Sequence, residues 1–148
     1  MNEFDEIYTD LIMEHSMASP YKKELESYTC SSLGHNPNCG DEIKLEAIVE
    51  NGKIIDMAFS GHGCAISQSS TSIMIELLKG KDITEAKKLI SIFMKMIKRE
   101  EISKEEFDLL KNARAFENIS NMPARVKCAL LSWHTLEDLL NQLEEKSE

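Results

Sequence analysis

Three cysteines and one aspartate are the residues of this chain best suited to chemistry. Cys39 and Asp41 share the loop Asn36-Pro37-Asn38-Cys39-Gly40-Asp41. Cys64 closes Gly61-His62-Gly63-Cys64, and Cys128 closes Pro123-Ala124-Arg125-Val126-Lys127-Cys128. Three thiolates and a carboxylate suffice to close a tetrahedral zinc site, or to hold an iron–sulfur unit with one weak ligand. Carboxylate oxygen is a poorer ligand than thiolate for soft metals, so such a site suits exchange better than permanence.

Each position is chemically sensible. Pro37 and Gly40 fix the backbone around Cys39, and Asp41 points back two residues later. Cys64 falls at an expected helix N-terminus, where the dipole and free amides favour thiolate. Arg125 and Lys127 precede Cys128 and favour thiolate in the same way. Spacing adds little, because ligands 25 and 64 residues apart match no short zinc signature. A shared metal site and buried inert cysteines both remain open on these grounds. Cys30 reads as a small apolar residue of an edge strand, or as a spare thiol near the site. His35 and His62 read as locally bonded loop residues or as groups supporting the ligands. His134 is expected at the surface and His15 at a helix-packing edge.

The elements that must position these residues are legible in part. Residues 2–17 read as an amphipathic helix with Phe4, Ile7, Tyr8, Leu11, Ile12 and His15 on one side, ended by Ser19-Pro20. Residues 41–50 alternate, with Ile43, Leu45, Ala47 and Val49 facing one way. Asn51-Gly52 is a preferred hairpin turn, and residues 53–60 return with Ile55, Met57 and Phe59 or their neighbours inward. Gly61-His62-Gly63 should break that strand and lead into a helix over 64–79, with Gly80 following its end. Asp82-Ile83-Thr84-Glu85 and Ser103-Lys104-Glu105-Glu106 are capping-box patterns, each opening a further helix. Pro123 suits the first position of a last helix whose stripe is Val126, Ala129, Leu130, Trp133, Leu136 and Leu140. Helix, small antiparallel sheet of about three strands, then a run of helices means an α+β fold.

The chain has 148 residues, which fits one domain with a real core. No apolar run approaches the roughly 20 residues that span a bilayer, and the acidic start is unlike a signal peptide. A cytoplasmic location and no membrane partner are expected. Net charge is −9, and the excess of acids lies in residues 1–17 and 137–148. The neutral middle offers no basic footprint for nucleic acid. The acidic ends read as solvated helix faces, or as docking surfaces for a basic partner. Four cysteines in a cytosolic chain argue for metal or thiol chemistry over structural disulfides.

The loop around Cys39, the stretch Phe59-Ser60-Gly61-His62-Gly63-Cys64-Ala65-Ile66-Ser67, and Cys128 before a long helix together resemble the iron–sulfur cluster assembly scaffold family typified by IscU and the N-terminal part of NifU. The likeness runs over nearly the whole chain, as one domain spanning 1–148. Two features resemble the SufU branch. Extra helical sequence lies at about 81–120, where housekeeping IscU has a shorter connection, and Lys127 stands where IscU carries a histidine. The Leu-Pro-Pro-Val-Lys chaperone-binding stretch of IscU is absent; Met122-Pro123-Ala124-Arg125-Val126 replaces it.

A SufU-like identity implies zinc held by Cys39, Asp41, Cys64 and Cys128. It implies persulfide sulfur accepted on Cys39 from a PLP-dependent cysteine desulfurase of the SufS type, with Cys39 released when that partner supplies a replacement ligand. Arg125 becomes a candidate docking or tuning cation, against a plain solvated arginine. The enzymatic role is at most a zinc-dependent sulfurtransferase. The competing reading is an IscU-type scaffold without turnover of its own. It would assemble Fe2+ and sulfide into a transient [2Fe–2S] cluster on Cys39, Cys64 and Cys128 and pass it to downstream assembly or recipient proteins. A purely structural zinc module is disfavoured by Asp41, since structural sites are usually all Cys and His.

Overall fold

The structure is a computed structural model that describes residues 3–37 and 40–147, with side chains from 9 to 144. Cys39, with Asn38, lies outside the described residues, as do the side chains of Phe4, Ile7 and Tyr8. The order is α1 (Glu3–Met17), β1 (Cys30–Asn36), β2 (Asp41–Glu50), β3 (Lys53–His62), α2 (Ala65–Leu78), α3 (Ile83–Ile97), α4 (Lys104–Leu109), a 3-10 segment (Lys111–Asn121) and α5 (Pro123–Ser147). This is the expected α+β arrangement, with a three-stranded antiparallel sheet in the order β1-β2-β3.

The β2–β3 hairpin follows from its turn. Asn51 and Gly52 both adopt positive φ, 53° and 75°, which is the twist a two-residue hairpin needs. The alternation fails at one place. The register slips between Ile48 and Val49, so that Val49 pairs with Ile54 and Ile55 becomes the extra residue of a bulge. Ile55 is therefore exposed, not inward, and Ile54 enters the core in its place. A second departure is at the strand's end: β3 continues through Gly61 to His62, still paired with Ile43 and Glu42. Gly61 makes this possible, because its φ is +117° and a Cβ there would lie 2.0 Å from the Glu42 carbonyl oxygen.

The outer edge of β3 is met by residues 21–23, where the Lys23 N–H donates to Phe59 O and the Phe59 N–H to Tyr21 O, both at 2.9 Å. α5 lies across β1 and also packs on α2 and α3. Gly34 of β1 permits that approach, since a Cβ would sit 2.0 Å from Thr135 Oγ1. Along the expected stripe of α5, Ala129, Leu130, Trp133, Leu136 and Leu140 are buried and Val126 is half-buried. Trp133 stacks on Phe93 of α3 at 3.8 Å and 7°, with Phe116 edge-on to Phe93.

α2 is buried nearly all round despite its run of hydroxyl residues. Its hydroxyls are satisfied locally or by neighbours. Ser70 Oγ donates to Ala129 O at 2.6 Å and accepts from Trp133 Nε1 at 2.9 Å. His15 of α1 holds Ser72 Oγ at 2.7 Å and faces Glu76 at 3.4 Å. Gly80, at φ +88°, follows α2 as expected. The two capping boxes divide. At α4, Ser103 and Glu106 bond each other's backbone, whereas Asp82 stands at the N-cap of α3 without a side-chain bond. Its neighbours tie the start of α3 to the hairpin: the Ile54 N–H donates to Lys81 O and the Ile83 N–H to Gly52 O, both at 2.9 Å. Among the described residues, no helix is long and apolar enough to cross a membrane.

Candidate metal centre

One end of the sheet meets the starts of α2 and α5, and there Asp41, Cys64 and Cys128 converge. One ligand atom from each lies within 4.8 Å of the other two. Around a single zinc the ligand atoms would stand roughly 3.5–3.8 Å apart, so small side-chain shifts close the set.

Each residue arrives by a different element. Asp41 opens β2 opposite Asn36 of β1 and is wholly buried. Cys64 is the N-cap residue of α2 and half-buried. Its N–H donates to Asp41 Oδ1 at 2.9 Å, which ties the start of the helix to the start of the strand. Gly63 allows this contact: a Cβ there would sit 2.6 Å from Asp41 Oδ1 and 2.3 Å from Ser67 Oγ. Cys128, in the second turn of α5, is fully buried. The Ser70 bond to the adjacent Ala129 carbonyl fixes α5 against α2, and hence one sulfur against the other.

The second oxygen of Asp41 carries the chemistry. Oδ2 is buried and has no hydrogen-bond partner among the described residues. A buried carboxylate with one bare oxygen is costly unless a cation meets it. The donor set, two sulfurs and a carboxylate oxygen, fits zinc or iron and leaves room for a further ligand.

The other expected residues sort cleanly. Arg125 and Lys127 are exposed on the first turns of α5. Lys127 also borders a hollow of about 210 Å³ with His35, Asn36, Leu130, Leu131 and His134. His134 is exposed, as expected, and His15 is buried in the α1–α2 seam. His62 is exposed and pairs with Glu42 at 3.7 Å, on the face of the sheet opposite Asp41. Cys30 opens edge strand β1, but it pairs with Ala47, at the far end from the Asn36–Asp41 pair. Six residues of strand separate it from the site, about 20 Å, so it is no spare thiol there.

Two polar side chains near the site escaped the sequence reading. Gln68 lies one helical turn after Cys64, and Ser132 one turn after Cys128. Both are buried, and their side-chain polar atoms have no hydrogen-bond partner among the described residues. The i+4 spacing from each cysteine was the available signal.

The α+β fold brings one acid and two thiols together at the sheet's end, a set that could hold a metal ion. Residues 7–148 match the family described as NifU-like N terminal domain. The IscU iron–sulfur cluster assembly scaffold protein of Thermotoga maritima is 36% identical over 140 residues, covering 95% of this chain and 96% of the relative. The zinc-dependent sulfurtransferase SufU of Bacillus subtilis is 37% identical over 133 residues, covering 90% and 88%. A crystal structure of a putative scaffold protein for the SUF system from Fervidobacterium islandicum superposes with a TM-score of 0.84 at 38% identity, covering 91% of this chain and 97% of that one. The chain belongs to the NifU-like N-terminal domain family, the group that includes IscU and SufU.

Proposed function

We propose that this chain accepts persulfide sulfur on Cys39 from a PLP-dependent cysteine desulfurase of the SufS type and carries it into iron–sulfur cluster assembly. Iron–sulfur cluster assembly itself comes with membership of the IscU/SufU family. The observation that carries the metal part is the bare, buried Oδ2 of Asp41, whose carboxylate lies beside two cysteine sulfurs.

In this reading Asp41, Cys64 and Cys128 hold zinc together with Cys39. Bound zinc keeps the thiolates deprotonated and shields them from oxidation. The chain's own groups do the rest. The Cys64 N–H holds Asp41 by one oxygen and leaves the other for the cation. The carboxylate is the weakest ligand of the set, so the set favours exchange. Cys39, flanked by Pro37 and Gly40, is the acceptor. Its thiolate attacks the outer sulfur of the desulfurase persulfide, the S–S bond to the desulfurase cysteine breaks, and that cysteine departs as thiolate. Arg125, exposed one turn before Cys128, is the proposed docking cation. Residues 1–148 act as one domain in this proposal, and about 81–120 is its helical insert. α3 within that stretch shares the Phe93–Trp133 stack with α5, which supports a single unit.

The same ligands would serve a [2Fe–2S] scaffold, and metal content with turnover separates the two. Purified reduced protein should hold about one zinc, and the native chain should accelerate sulfide release by the desulfurase. Cys39→Ala should abolish that acceleration; full stimulation by Cys39→Ala would overturn the acceptor role. Rapid passage of a reconstituted cluster to an apo-ferredoxin would favour the scaffold.

A further inference from the structure

The face of the sheet turned away from Asp41 carries a second set of metal-ligating residues that the site above does not use. In the antiparallel register His35 of β1 stands opposite Glu42 of β2, and Glu42 stands opposite His62 of β3. Directly opposed residues point to the same face, with Cβ atoms about 4.5–5.5 Å apart. The row is therefore imidazole, carboxylate, imidazole on three adjacent strands. The inner-facing neighbours alternate with it: Asn36 and Asp41 are buried, whereas His35 and His62 are exposed and Glu42 is half-buried. One contact is already formed, His62 Nε2 to Glu42 Oε2 at 3.7 Å.

We propose that His35, Glu42 and His62 form a weak, solvent-open site for a borderline divalent cation, Fe2+ above all, adjoining the thiolate centre. Two imidazoles and one carboxylate on a single face, with the remaining positions left to water, is the donor set that suits Fe2+ and its neighbours and leaves them exchangeable. The row is not preassembled, since among the described residues Asp41, Cys64 and Cys128 are the group whose ligand atoms already converge. His35 borders the hollow beside α5, and because it is exposed, turning its ring about χ1 over Glu42 costs little. Weak binding follows, as a waiting position requires.

Placement gives the site its use. Glu42 follows Asp41 directly, and His62 precedes Cys64 by two residues, so the two sites are back to back across one sheet. Gly61 and Gly63 flank His62 in the chain, and the backbone of each lies close against Glu42 or Asp41. A cation held in the outer row stands one residue along β2 from the bare, buried oxygen of Asp41, and handing it inward is the proposed use. This role as an iron entry point rests on the cluster-assembly reading, while the binding itself does not.

The test uses the zinc-loaded full chain titrated with Co2+ under anaerobic conditions, followed by NMR of the four imidazoles and by absorption. Paramagnetic shifts of His35 and His62 at Co2+ levels that leave His15 and His134 unmoved, with no sulfur-to-cobalt charge-transfer band, are expected. Glu42→Gln and His62→Gln should each weaken Co2+ binding at least tenfold and leave the zinc content unchanged. Equal shifts on all four histidines, growth of the charge-transfer band without imidazole shifts, or unaltered affinity in both variants would overturn the site. Failure here leaves zinc content and the Cys39→Ala result untouched, so it is separable from failure of the sulfur-acceptor reading.

Discussion

Asp41 is held by one oxygen and left bare on the other, and that asymmetry makes it the residue to change first. Asp41→Ala removes the weakest ligand and spares the three cysteines. A reconstituted cluster should then be retained longer, and its transfer to an apo-acceptor should slow about tenfold or more. An unchanged transfer rate would show that Asp41 has no part in release. The residue types of this centre were legible in the sequence, because thiol and carboxylate side chains near glycine-rich loops narrow the chemistry. Their convergence was not. Cys64 and Cys128 are 64 residues apart, and what brings them together is the packing of α2 on α5 in one core, with the Ser70–Ala129 bond between the two helices. A buried serine acting at that range leaves no periodic trace. Gln68 was overlooked for a related reason: a glutamine in a hydroxyl-rich helix reads as surface until the packing around it is known.

The elements were read more successfully where local rules decide. β2 is found as Asp41–Glu50, because the turn and the alternation agree. Between Ile55 and its neighbour Ile54 the pattern alone does not choose, because a bulge shifts the pleat by one residue and strict period two has no term for an extra residue. Asp82 opens α3 as the pattern predicts, but without the side-chain bond of a capping box. Two predictions belong to the joints between elements. Gly34→Ala should drive β1 from α5, costing about 1–3 kcal/mol by overpacking, and Thr135→Ala in the same chain should recover part of it. Urea denaturation of the single and double variants checks this. At the joint of β3 with the end of α2, burial works against ionisation of Asp56. Lys79 at 3.1 Å, the Met57 N–H at 2.8 Å and the charges of Lys79 and Lys23 outweigh it, and its carboxyl stays below the ordinary 3.8. A lowered folded value favours the ionised form. The stabilisation is thus complete above 3.8 and fades as pH falls through the folded value. Asp56→Asn should be less stable than the native chain at neutral pH, and the gap should close in stronger acid; a gap independent of pH would remove Asp56 from the account.

As a whole the molecule is a small sheet clamped by helices that are themselves polar inside. α2 carries buried hydroxyls along most of its length, and α1 is seated on it through His15. The acids that give the chain its charge sit on the two terminal helices, where Asp10, Glu14, Asp138 and Glu144 are exposed. α3 and the 3-10 segment contribute Phe93 and Phe116 to the same core as α5, so the stretch at 81–120 is a wall of the domain and not an appendage.

Trp133 is the single tryptophan of the chain. It lies on the helix of Cys128, stacks on Phe93, and gives its indole N–H to the serine that locks the two sulfur-bearing helices. The molecule thus contains an optical gauge of the candidate metal centre. Chelation that lets α5 shift against α2 should change the emission intensity of the unlabelled protein, and stoichiometric zinc should restore it. A signal flat across that titration would mean that the two helices hold their register with or without the ion.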